Sequence, residues 1–268
     1  MADPDEGVAA DGTIRTGAGR DRVPSAFEPI VREAAASLPL PGASLYLYGS
    51  VATGTARPVT SDVDLLAIDL PDAAGLAARL SGRFADRCRG VEVARARAGD
   101  FDGDSDEAYG NRVFLRHYCV HLAGPDPAAG LPAFTADVRA ARGFNGDIGR
   151  HWRRWQTQLE SGAGTVESVG ARVARKTLLA VAGMVSVHDR TWTTDRSRAV
   201  RRWSAIEPEL APGLALLQGW GEGTSRPTSR EVAATLDERG LVATIVDRFG
   251  DLVGFWNERP SRSRPQPR

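Results

Sequence analysis

Leu45 to Asp69 reads LYLYGSVATGTARPVTSDVDLLAID, and the fold is decided in this stretch. An apolar strand, Ala43–Tyr48, runs into a glycine-serine turn at Gly49 and Ser50. A small-residue segment follows, and a second strand, Val63–Ile68, is approached through Ser61 and Asp62. Asp62 and Asp64 stand at i and i+2, so on a strand both side chains leave the same face, ~6.5 Å apart along the chain. Two bare carboxylates at that distance repel by ~2.5 kcal/mol at an effective dielectric of about 20, and a divalent cation reverses the sign. The turn offers close backbone approach, N–H donors and a hydroxyl, which suit a phosphate. Carboxylates able to share a metal beside a phosphate cradle are the parts needed for phosphoryl or nucleotidyl transfer.

The pattern Gly49-Ser50, Gly54, Ser61-Asp62-Val63-Asp64-Leu65 resembles the active-site signature of the nucleotidyltransferase superfamily, which includes DNA polymerase β and kanamycin nucleotidyltransferase. The resemblance implies an α+β lobe, a small mixed sheet with flanking helices, followed by an all-α helical bundle. It implies that Gly49, Ser50 and Ser61 serve the phosphates, that Asp62 and Asp64 bind Mg²⁺, and that ATP or another NTP is the co-substrate. The superfamily usually adds a third carboxylate from the next strand. Glu92, in Val91-Glu92-Val93, alternates with the valines and faces away from them. That strand is similar to one in streptomycin/spectinomycin adenylyltransferases, whose matching glutamate deprotonates the acceptor hydroxyl. Base and metal ligand are competing roles, because a base needs a pKa that is not driven too low.

A second resemblance to the same adenylyltransferases lies further along. Arg175-Lys176, Gly183, Trp192-Thr193-Thr194, Arg196, Arg198-Ala199 and Trp203 echo their C-terminal domain, where a lysine at a helix start contacts ATP phosphates. No lysine stands at that place here. Arg196 or Arg198 could replace it as a bidentate clamp. Lys176 is the rival, sharing a helix face with Arg172 at i, i+4.

At 268 residues the chain can bury a full core in one or two domains. Net charge is zero but unevenly spread: residues 1–130 hold 13 arginines against 19 acidic residues, and 131–268 hold 21 basic against 15 acidic. An acidic lobe facing a basic one would sandwich an NTP. Overall neutrality argues against bulk nucleic-acid binding. Cys88 and Cys119 lack metal-ligand spacing, and no signal peptide or long apolar run is present, which leads to the expectation of a cytoplasmic protein with no membrane role. Lys176 is the only lysine.

The organisation expected is a disordered tail at 1–22, a nucleotidyltransferase domain at 23–130, a helical bundle at 131–258 and a second disordered tail at 259–268. Ser25 can cap a helix to about Ser37, Pro71–Arg87 reads as helix, Val91–Arg95 as a third strand, and Asn111–Leu122 contains a fourth. On that strand pattern His117 and His121 share a face. Asp102, Asp104 and Asp106 fail the calcium-loop spacing, since Glu107 and Val113 stand where glycine and glutamate are required, and read as an exposed loop. Helices are expected over 133–143, 146–159, 165–188, 194–206, 208–219 and 229–257, with most of the lobe's tryptophans in its core. The function expected is Mg²⁺-dependent transfer of a nucleoside monophosphate, AMP first, to a hydroxyl of a small-molecule acceptor such as an aminoglycoside-type antibiotic. A protein-modifying (AMPylating) enzyme and a non-catalytic nucleotide-binding module are the alternatives.

Overall fold

A computed structural model describes residues 3–38 and 42–256. In chain order the strands are β1 (Gly7–Val8), β2 (Ile14–Arg15), β3 (Ser44–Tyr48), β4 (Val63–Ile68), β5 (Val91–Ala96) and β6 (Val120–Ala123). The helices are α1 (Glu28–Ala36), α2 (Gly49–Ala52), α3 (Ala73–Arg83), α4 (Asp106–Tyr118), α5 (Val138–Asn145), α6 (Ile148–Glu160), α7 (Val166–His188), α8 (Arg196–Ile206), α9 (Ala211–Glu222), α10 (Ser229–Leu236) and α11 (Leu241–Leu252). An α+β lobe with a small mixed sheet is followed by a helical lobe.

The four-stranded sheet has the order β5-β4-β3-β6, with β4 and β5 parallel and the other pairs antiparallel. Strand alternation sorts its residues onto two faces. Leu45, Leu47, Val63, Leu65 and Ala67 pack with Ile30 and Val31 of α1 and Leu76 and Leu80 of α3. Tyr46, Leu66 and Ile68 take the other face, against Leu115 of α4. Asp64 has the parity of Leu66, so it shares the face that α4 covers, where the sheet runs out of apolar cover. Antiparallel β3–β4 pairing sets Tyr48 opposite Asp64, and parallel β4–β5 pairing sets Glu92 beside it.

The fourth strand expected within Asn111–Leu122 is β6, which begins only at Val120, and Asn111–Tyr118 belong to a helix instead: Ser105 accepts from the Ala108 N–H at 3.1 Å, and Asp106 and Glu107 occupy the first turn. The aromatic and branched residues that suggest a strand are instead the helix face that packs on the sheet and the helical lobe. His117 is therefore on α4 and His121 on β6, on separate elements. Asp106 is not in an exposed loop: it is 3% exposed and pairs with Arg142 of α5 at 3.0 Å. At this junction a Cβ on Gly110 would overlap the backbone of Gly143, so α4 and α5 cross with backbones nearly touching.

The segment expected to be disordered at 1–22 is placed from residue 3. Strands β1 and β2 form a short hairpin, and Ile14 is buried in the helical core. The Ile14 N–H donates to Phe134 O at 2.8 Å. Few large apolar residues mark this hairpin, because polar bonds to distant residues hold it. The tail at 259–268 lies outside the described residues. The long helix expected at 229–257 is two, α10 and α11, broken at Asp237–Gly240.

Trp155, Trp192, Trp203 and Trp220 are buried in one helical core that also includes Val113 of α4. Trp152 is half-buried and donates to Leu236 O at 2.8 Å. Among the described residues no helix is long and apolar enough to cross a membrane.

Candidate active site

The site begins at the end of β3. Gly49 has φ +72°, a left-handed conformation that an L side chain rarely adopts, and a Cβ there would overlap Asp64 Oδ2. The glycine thus makes the sharp turn from β3 into α2 and leaves room for the carboxylate. Across the sheet Asp64 lies beside Glu92, with Asp62 two residues before it. Burial first, then Glu92 and Asp62, push the Asp64 carboxyl up to about 6. Three carboxylates converge here, and the middle one is short of compensation. Burial and the Asp64 charge likewise raise the pKa of the Tyr48 phenol.

Arg89 was not anticipated from the sequence. Its Nε donates to Asp62 Oδ1 at 2.9 Å and its Nη2 to Asp62 Oδ2. Its side chain is 67% exposed, so the pair is a surface one worth little stability. A readable signal existed: Arg89 sits just before the strand that carries Glu92.

Across from Gly49 and Ser50 stands the start of α8. A cavity of about 390 Å³ lies between the lobes, lined by Gly49, Ser50, Thr53, Tyr118, Thr194 and Arg196 among others. Asp195 accepts from the Ser197 and Arg198 N–H groups at 2.9 and 3.2 Å and so fixes the first turn of α8. Lost hydration, then the neighbouring Arg175, lower the Arg196 pKa, although its side chain keeps an exposed edge. Three acidic residues, Asp3, Asp195 and Glu222, also line the cavity.

A buried carboxylate from the N-terminal hairpin holds this wall. Glu6 accepts from Tyr118 Oη at 2.7 Å, Thr194 N at 2.7 Å, Thr194 Oγ1 at 2.6 Å and Thr193 Oγ1 at 3.1 Å. Trp192 Nε1 donates to the same Tyr118 oxygen at 2.6 Å. Tyr118 comes from α4 and Thr194 from the helical lobe, so one side chain ties both to the hairpin.

Of the residues singled out in the sequence, Gly49, Ser50 and Arg196 line the cleft, while Asp62, Asp64 and Glu92 do not line it and cluster on the sheet behind Gly49. Ser61 turns its hydroxyl to the Arg57 N–H at 2.9 Å and closes the loop before β4. Arg198 is exposed and does not line the cleft. Lys176 is not brought to the Gly-Ser turn: its Nζ lies 2.7 Å from Asp147 Oδ1 and donates to Phe144 O at 3.1 Å. The Asp147 contact is an ion pair without hydrogen-bond alignment, since that oxygen has no partner by angle. His117 is also structural. Its Nε2 accepts from the Phe134 N–H at 2.9 Å, and burial holds its pKa down at about 4.

Residues 29–79 match the family model of the nucleotidyltransferase domain. The match spans α1, β3, the Gly49 turn, β4 and most of α3, and so covers Asp62 and Asp64. No curated protein matches the chain significantly. That similarity over residues 29–79 supports nucleotidyl transfer as the general reaction.

Members of that family typically use a divalent metal. Among the described residues no three of His, Cys, Asp and Glu are arranged as a ready-made metal cluster. Mg²⁺ rarely needs one, because one or two carboxylates plus substrate phosphates complete its shell. The carboxylates of Asp62 and Asp64, with the Asp64 pKa pushed up to about 6 by burial and then by its acidic neighbours, are hard oxygen donors of that kind.

Proposed function

We propose that this protein transfers a nucleoside monophosphate, from ATP in the first instance, to a hydroxyl of a small cationic acceptor. The observation that carries the reading is the side-by-side placement of Asp64 and Glu92, with Asp64 against Gly49, which lines a cleft together with Ser50 and Arg196. Asp62 and Asp64 would hold Mg²⁺, and the ion, when bound, neutralises charge developing on the phosphates. Gly49 and Ser50 receive the β- and γ-phosphates through backbone N–H and hydroxyl groups, and Arg196 meets the same charge from the helical lobe.

In the transfer step the acceptor oxygen bonds to the α-phosphorus as the bond to pyrophosphate breaks. Glu92, exposed at the end of the cluster, takes the hydroxyl proton. Asp3, Asp195 and Glu222 give the cleft an acidic lining that favours a polycation, which supports an aminoglycoside-type acceptor.

The test is incubation with ATP labelled at the α-phosphate, Mg²⁺ and a panel of aminoglycosides. Label should appear on a small cationic product in the complete mixture. Label on a protein instead would replace this reading with a protein-modifying one. Nucleotide binding without any transfer across the panel would overturn the acceptor class.

A further inference from the structure

On the far side of Arg196 the helical lobe has a second concavity, about 360 Å³, between α6 and α7. Arg154, Arg172, Arg175, Lys176 and Arg196 line it. The acids beside it are Asp147, already engaged by Lys176 at 2.7 Å and His151 at 3.0 Å, and Asp195 and Glu222, whose charges act on Arg196 from the cleft side. Among the described residues Arg154, Arg172, Arg175 and Arg196 make no ion pair. Arg172 and Arg175 spend only their Nε groups, on Ser168 O at 3.2 Å and Gly221 O at 3.4 Å. Their terminal nitrogens are left for another acceptor. An ordinary solvated face intersperses both signs; this one gathers a single sign around a concavity.

The groove joins the cleft. Arg196 lines both, and Gly221, which holds Arg175, lines the cleft. Its length limits the ligand. Arg172, Arg175 and Lys176 occupy i, i+3 and i+4 of α7, and four residues of helix advance about 6 Å. That span suits two or three linked phosphates. A nucleic acid needs a cationic track several times longer, and the chain as a whole is neutral.

We propose that this groove is a second anion site, for a short inorganic oligophosphate such as pyrophosphate or triphosphate. Resting on the function proposed above, the groove receives the pyrophosphate released in the cleft, passed across Arg196. As an anion site it stands without that reaction.

The experiment is calorimetric titration of the full chain with inorganic pyrophosphate in EDTA, comparing wild type, R172A/R175A, R172Q/R175Q and D64N. Wild type and D64N should bind with equal affinity, and both double variants at least tenfold more weakly, with wild-type circular dichroism. In turnover, pyrophosphate inhibition of R172A/R175A should weaken by a similar factor. Unchanged affinity in both double variants would overturn the proposal. So would tighter binding of a 20-nucleotide RNA than of pyrophosphate at equal salt, which would make the groove part of a nucleic-acid surface. Normal pyrophosphate binding with no nucleotidyl transfer from any NTP would overturn the functional reading and leave the groove standing.

Discussion

Two carboxylate-bearing regions adjoin the cleft, Glu6 behind Tyr118 and Thr194 and Asp64 behind Gly49, and use the same chemical group in opposite ways. Glu6 is buried and accepts four hydrogen bonds, from Tyr118, Thr193 and Thr194. Asp64 lies in a crowd of like charge and is raised to about 6. A carboxylate with every lone pair engaged holds elements in place. One held short of partners, where burial and repulsion work against its charge, is poised for a cation or a proton. The contrast assigns holding to the N-terminal hairpin and chemistry to the sheet edge.

The largest break in that contrast should come from Asp64→Asn. Removing a charge that helps hold the metal should cost transfer about a thousandfold, or ~4 kcal/mol at a factor of ten per 1.36 kcal/mol. The same change should raise the melting temperature in metal-free buffer at pH 7.5, because it removes an uncompensated charge. Differential scanning calorimetry beside the labelled-ATP assay reads both. Gly49→Ala comes next. Its Cβ would overlap Asp64 Oδ2 at a φ of +72°, so activity should fall about a hundredfold and the melting temperature should fall too, opposite to Asp64→Asn.

Glu6→Ala should act by the other route. Leaving buried hydroxyls and an N–H unpaired costs about 2–4 kcal/mol of stability. With the α8 wall loosened, KM for the NTP should rise roughly tenfold, since 1.4 kcal/mol is tenfold in affinity, and kcat should change less. Glu6→Gln, which keeps acceptor geometry in part, should recover some of the KM. Steady-state kinetics separates the parameters.

The smallest effect is in the pH dependence of stability, where two groups oppose. His117 is held at about 4 against an ordinary 6.5, so its contribution is complete above pH 6.5 and lost as pH falls through 4. Asp64, raised to about 6 from 3.8, contributes below pH 3.8 and loses that contribution as pH rises through 6. Each is worth about 3 kcal/mol at 1.36 kcal/mol per pKa unit, so wild-type stability should change by little between pH 6.5 and 4 on their account. Asp64→Asn removes one arm, and urea unfolding of that variant should show a steeper loss towards pH 4.

The chemistry at the sheet edge was legible in the sequence because it is local. Strand, turn and strand lie within 25 residues, and period two puts Asp62 and Asp64 on one face, which Glu92 joins through the β4–β5 register. The holding region was not legible, because the residues that satisfy Glu6 lie 112 to 188 positions away. Composition there shows only small and polar residues. Helix α4 was misread because Val113, Phe114 and Tyr118 suit a strand as well as a packed helix face. The Ser105 cap with Asp106 and Glu107 behind it was the better guide. Lys176 drew attention as the only lysine, yet it pairs with Asp147, an acid that sequence spacing does not single out.

The most direct measurement of the contrast is Mn²⁺ binding, by electron paramagnetic resonance, in the presence of a non-hydrolysable ATP analogue. It should be made on wild type, Asp64→Asn and Glu6→Ala at analogue concentrations that saturate each. Wild type and Glu6→Ala should bind the ion alike, and Asp64→Asn should bind it at least tenfold more weakly. Equal binding by Asp64→Asn and wild type would contradict the assignment of the sheet edge as the metal-bearing, reactive side of the cleft.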